Sequence, residues 1–158
     1  KTPEKEGDYK ICPLKIIFFD GFWYLLARVD GKEWIIKFRL ENITNVALLD
    51  EYFIPPRNLN TFLDQSVNIW FTEKRDKQVV LKVDKEAASY FKQQVYFPLQ
   101  KITKENRDGS LRIESKICHN EEIIYTILRW IPHVHVIKPK CLKKEIKEKI
   151  TEYLKALK

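Results

Sequence analysis

Two turn signals, Asp20-Gly21 and Asp30-Gly31, stand ten residues apart, and each separates two apolar runs. Asp-Gly suits the centre of a tight hairpin, where the backbone must turn left-handed. The spacing predicts three antiparallel strands over 13–19, 22–29 and 33–39, with a fourth over 42–49. Connections this short favour a meander that closes into a small β-barrel, and no helix-period pattern interrupts it.

Pro55-Pro56 breaks the pattern, and Asn58 to about Gln65 has room for one or two helical turns. A different rhythm follows. Val79–Val83 reads as a strand, and Asp84 as the N-cap of a helix running to about Gln94. Strands over 99–105 and 110–118 join at Asp108-Gly109. Asn120 opens a helix with Ile123, Ile124, Ile127, Leu128 and Ile131 at helical spacing, and Pro132 ends it. His133–Lys138 is a further strand. The order β-α-β-β-α-β is that of a ferredoxin-like unit. A last helix follows Pro139, with Leu142, Ile146, Ile150, Tyr153, Leu154 and Leu157 as its apolar stripe and Glu145–Lys149 as an i, i+4 pair. The expected fold class is α+β. An SH3/Sm-like barrel spans 9–65, a linker 66–78, and a ferredoxin-like module with a terminal helix 79–158. Trp70 and Phe71 near the junction read as hinge packing, with an interface as the alternative.

Alternation sorts the side chains of the first strands. Trp23, Leu25 and Ala27 share one face with Phe38 and Leu40, and form the expected core. At full burial, Trp23→Ala would cost about 3–5 kcal/mol. Tyr24, Arg28, Lys37 and Arg39 share the opposite face. Cations attract phosphate and an aromatic ring can stack on a base, so these four are the candidate site for a single-stranded or nucleotide-like ligand. An ordinary exposed sheet face also carries strand cations, and alternation alone does not separate the two.

Charge is unevenly placed. Residues 1–64 hold 9 Lys and Arg against 10 Asp and Glu, whereas residues 65–158 hold 20 against 12. A basic half fits a polyanionic partner or a solvated lysine-rich surface. The stretch 138–158, with 8 Lys against 3 Glu, carries the same two readings. Three cysteines, an odd and widely spaced set (Cys12, Cys118 and Cys141), argue against a disulfide framework and for a reducing compartment, the cytoplasm. No apolar run approaches the roughly 20 residues that span a bilayer. The start at Lys1 and the lack of Met imply a fragment whose upstream part carries further function.

Several short motifs resemble the WYL-domain regulators of bacteria: Ile11-Cys12-Pro13-Leu14, then Trp23-Tyr24-Leu25, then Phe38-Arg39-Leu40 followed by Ile43. The downstream part is similar to the C-terminal extension of those proteins at Leu128-Arg129-Trp130-Ile131, Val136-Ile137-Lys138-Pro139 and Leu142. The resemblance implies an SH3/Sm-like sensor barrel behind an N-terminal winged helix-turn-helix domain absent from this fragment. It also implies an effector such as single-stranded DNA or an oligonucleotide, DNA as the operator, and a homodimer. It places the family's basic and aromatic positions on Tyr24, Lys37 and Arg39. Two departures matter. Asn42 stands where the family usually has a second Arg, and Lys37 replaces an Arg, which loses the bidentate fork.

Other constellations are thinner. His133-x-His135 with Cys118-His119 matches no structural zinc pattern, so neither metal nor cofactor is expected. No nucleophile-base pair, paired carboxylates or glycine-rich phosphate loop is present, and no enzyme is expected. The alternative to a sensor is a protein–protein interaction or oligomerisation module with an SH3-like peptide-binding barrel.

Overall fold

The computed structural model describes residues 6–32, 34–57, 59–67 and 75–157. Trp70 and Phe71, with their expected packing role, lie outside the described residues, as does Asn58. The chain divides into two compact units, 1–63 and 64–158.

In the first unit, β1 (Ile11–Phe19), β2 (Phe22–Val29) and β3 (Ile35–Arg39) form an antiparallel sheet in the order β1-β2-β3. The first turn has the geometry its sequence calls for, with Asp20 at φ +49° and Gly21 at φ +84°. At the second, Lys32 N–H donates to the Val29 carbonyl at 2.9 Å. Ala27, Val29, Ile36 and Phe38 form the core on one face, with Tyr9, Ile11, Leu25 and Ile43 against them.

Leu25 and Phe38 therefore take the core places that alternation gives them, and Leu40 is half-buried. Trp23 does not, and 55% of its surface is exposed. The reason lies in strand length. β3 ends with Arg39 opposite Tyr24, so beyond that pair only the β1–β2 hairpin continues. A two-stranded ribbon offers little to bury a large ring against. Trp23 instead packs on Phe18 across the hairpin, with ring centres 5.1 Å apart.

The expected fourth strand over 42–49 does not form. A 3₁₀ turn at Leu40–Asn42 closes β3, and residues 43–56 belong to no helix or strand. No closed barrel is present among the described residues. A closing strand would add to the outer edge of β1. There Pro13 has no N–H to donate, and the ladder slips between Pro13 and Lys15. Both features blunt an edge. Val46, Leu48, Tyr52 and Ile54 on this tract are almost wholly exposed. Glu51 anchors it to the foot of β1 through Lys10 at 2.6 Å. That hydrogen bond raises the Lys10 pKa above the ordinary lysine value. A short helix, α1 (Leu59–Asp64), ends the unit.

The second unit runs β4 (Lys77–Val83), α2 (Lys85–Gln93), β5 (Lys101–Glu105), β6 (Leu111–Ile117), α3 (Glu121–Arg129), β7 (Val134–Lys138) and α4 (Lys140–Ala156). The sheet order is β5-β6-β4-β7, with every neighbouring pair antiparallel. One sheet face, with Val79, Leu81, Val83, Leu111, Ile113 and Val134, buries Phe91 of α2, Ile123 and Ile127 of α3, and Leu142 and Ile146 of α4. The helical repeat of those apolar residues is what sets the three helices on that face.

The caps differ in detail from expectation. Asp84 and Asn120 precede α2 and α3, but neither side chain caps its helix. The Asp84 carboxylate turns to Lys82 and His135 instead, and Asn120 donates to Glu145 at 2.7 Å. Glu145 is thereby drawn away from Lys149, and the i, i+4 pair on α4 is Lys144–Glu148 at 3.7 Å. Tyr153, Leu154 and Leu157 extend the stripe of α4 past its core contacts and stay exposed. Just ahead of β4, Arg75 meets Glu122 at 2.6 Å with both side chains buried, and Glu122 also accepts from Cys118 N–H at 2.9 Å.

Candidate anion-binding face

Register decides whether the four candidate residues meet. Across the β2–β3 ladder Tyr24 stands opposite Arg39, Leu26 opposite Lys37, and Arg28 opposite Ile35. Directly opposed residues project to the same side of a sheet. Tyr24, Arg28, Lys37 and Arg39 therefore share one face, away from the Ala27–Phe38 core.

That face is not evenly open. Leu26, Ile35 and Lys37 are buried, with Lys37 only 6% exposed, while Tyr24 and Arg28 are half-buried. The accessible part lies toward the β1–β2 turn. There the Arg39 side chain keeps 34% of its surface exposed and forms an ion pair with Glu41. Its guanidinium carbon lies 3.9 Å from the centre of the Phe22 ring, a cation–π geometry. Its Nε is buried and has no hydrogen-bond partner. A buried donor without an acceptor is costly, so this atom weakens the site's packing rather than its charge.

Phe22, Lys15 and Glu41 are members of this surface that the sequence reading left out. Phe22 was legible, since it lies two residues before Tyr24 on the same strand and shares its face. Lys15 was hidden by the slip at Pro13/Lys15, which moves it opposite Leu26. Glu41 sits in the 3₁₀ turn that replaced the expected strand. The surface thus offers an aromatic pair, Phe22 and Tyr24, beside a stacked guanidinium, with a buried ammonium and a further arginine deeper in.

A second constellation lies in the other unit. Asp84, Glu86 and His133 bring ligand-capable atoms within 4.8 Å of one another. The Asp84 carboxylate is already engaged by His135 at 2.8 Å and Lys82 at 3.1 Å. The His135 hydrogen bond, then Lys82, hold its pKa below the ordinary aspartate value. His135, not His133, is the imidazole bound to Asp84. Cys118 and His119 are not members of this group.

The WYL domain profile matches residues 1–48, and the WCX domain profile matches residues 75–154. Among solved structures, a CRISPR Cas-related protein shares this fold with a TM-score of 0.63 at 12% identity, over 98% of this chain and 44% of that one. Proteasome accessory factor B/C of Arthrobacter aurescens aligns over 86% of this chain and 21% of its own, at 24% identity and a TM-score of 0.33. The chain spans less than half the length of either structure. No curated protein matches it. No helix among the described residues is long and apolar enough to cross a membrane.

Proposed function

From the premise that this chain belongs to the WYL-domain regulators, a WYL domain followed by a WCX domain, we propose that it is the effector-sensing region of a bacterial transcription factor. The effector is a nucleic-acid or nucleotide-like anion held on the Tyr24/Arg39 face. Its binding modulates the grip of an upstream helix-turn-helix domain on an operator. The observation that carries this reading is Arg39, set against the Phe22 ring, opposite Tyr24, with its side chain 34% exposed. A phosphate competes with Glu41 for the exposed side of the guanidinium, and the half-exposed ion pair it displaces is worth little. Phe22 and Tyr24 offer faces to a base.

The finer architecture belongs to the same proposal. The first unit is an SH3/Sm-like sensor barrel over 9–65, and 66–78 is a linker. The second unit is a ferredoxin-like module over 79–158 that serves a cytoplasmic homodimer. For the effector to switch anything, it must bind one conformation of the protein better than the other.

One observation favours a second reading. Val46, Leu48, Tyr52 and Ile54 form an exposed apolar tract beside the sheet, as expected of an interaction module docking a protein segment. Fluorescence anisotropy with single-stranded, double-stranded and short cyclic oligonucleotides at two salt concentrations decides between them. Phosphate binding weakens steeply with rising salt, because binding releases counterions. Absence of binding at low salt favours the interaction module.

A further inference from the structure

The sheet of the second unit has one face packed on helices, and the register defines the other. Lys104 of β5 stands opposite Arg112 of β6, Arg112 opposite Lys82 of β4, and Lys82 opposite His135 of β7. Each of the four strands thus contributes one basic side chain to a single row, about 14 Å long at the usual strand spacing. Beside it, Lys101 stands opposite Glu114 and Lys138 opposite Val80, and Lys116 follows opposite Gln78. Six Lys and Arg share this face with the carboxylates of Glu114 and Asp84, and Asp108 in the adjoining turn also lies near Lys82. Glu114 reaches Arg112 only at 3.8 Å, and Asp84 sits at the end of the row, on Lys82 and His135. Lys101, Lys104, Lys116 and Lys138 are exposed and stand in no ion pair among the described residues.

The Asp84 contacts offset only the Lys82–His135 end of this row. Like charges directly opposite one another across a ladder destabilise it, and Lys104–Arg112 and Arg112–Lys82 are two such pairs in succession. An anion lying across the strands turns that repulsion into binding. Among the described residues, no helix or ribbon stands out of this face to enter a duplex groove, and His135 is its one ring. We infer that it is a second anion surface, which binds the phosphodiester backbone of a single-stranded nucleic acid without regard to base sequence. It uses other residues, in the other unit, than the Tyr24/Arg39 face.

The test is anisotropy of the full chain with labelled oligothymidylate and oligoadenylate of about 12 nucleotides, across a salt series. The proteins are the wild type, Lys104→Gln/Arg112→Gln, Arg39→Ala, and all three changes together. Two lost phosphate contacts lower the slope of log K against log salt by about 1.4. The double variant shows that drop with both oligonucleotides, and shows it again in the Arg39→Ala background. Lys101→Gln/Lys138→Gln, at neighbouring exposed positions, repeats it. An unchanged slope and affinity in the double variant overturn the inference, while loss on Arg39→Ala alone leaves the first-unit reading intact. Tighter binding of a duplex than of either single strand also overturns it.

Discussion

The guanidinium of Arg39 lies 3.9 Å from the ring centre of Phe22, two residues that no contiguous motif joins. The contact fixes one side of the guanidinium, and Glu41 pairs with another part of it. A lysine at this position keeps the charge but loses both the plane and the fork. Arg39→Lys is therefore expected to weaken oligonucleotide binding nearly as much as Arg39→Ala. Phe22→Ala removes both the partner of Arg39 and a ring face for a base, and costs about 1–3 kcal/mol of binding. Anisotropy titrations check the ranking, and full affinity in Arg39→Lys would show that charge alone matters.

Trp23→Ala has a smaller effect than its place in the motif suggests. Since 55% of the residue is exposed and its main ring partner is Phe18 on the same hairpin, the loss is about 1–2 kcal/mol, not the roughly 3–5 of a buried tryptophan. Urea denaturation reads this as a shift in midpoint at constant slope. A loss above about 3 kcal/mol would mean that the ring is buried in solution.

Glu122 is the position in the second unit most sensitive to a polar change. Its carboxylate faces the Arg75 guanidinium at 2.6 Å and accepts from Cys118 N–H, at 0% side-chain exposure. Removing one partner of a buried pair costs about 3–5 kcal/mol. Glu122→Ala should lose that much and Glu122→Gln distinctly less, because the amide oxygen still accepts. Equal losses in the two variants would assign the effect to the charge opposite Arg75, which both lack, rather than to the Cys118 hydrogen bond.

Asp84 gives the fold an acid-side dependence. Its pKa is depressed, chiefly by the His135 hydrogen bond and then by Lys82. A depressed carboxylate contributes stability that is fully present above the ordinary aspartate value of about 3.9 and is lost as pH falls through the lowered value. Melting curves from pH 6 down to about pH 2 should show Asp84→Asn with a shallower acid decline than wild type. Parallel curves would show that the Asp84 contacts do not persist in solution.

How much of this was legible in the sequence depended on how local its cause was. The Asp-Gly turns fixed the β1–β2–β3 hairpins, and the apolar repeats of 123–131 and 142–150 set helices against one side of the second sheet. Tyr24, Arg28, Lys37 and Arg39 fell on one face because strand alternation is a local rule. What escaped was non-local. The burial of Lys37 depends on what covers the sheet, and the exposure of Trp23 on β3 ending four residues short of the hairpin tip. The missing fourth strand reflects Pro13 and the slip beside it, far from 42–49 in sequence. The capping roles of Asp84 and Asn120 gave way to partners on β7 and α4 that no local pattern announces.

The most direct test of the sensor reading is the affinity of Arg39→Ala for a single-stranded oligonucleotide, measured against wild type across a salt series. The account predicts that wild type binds at low salt and that the variant loses roughly 1.5–3 kcal/mol, the worth of a hydrogen bond to a charged group, together with about 0.7 in salt slope. Equal affinity and equal slope in the two proteins would contradict it.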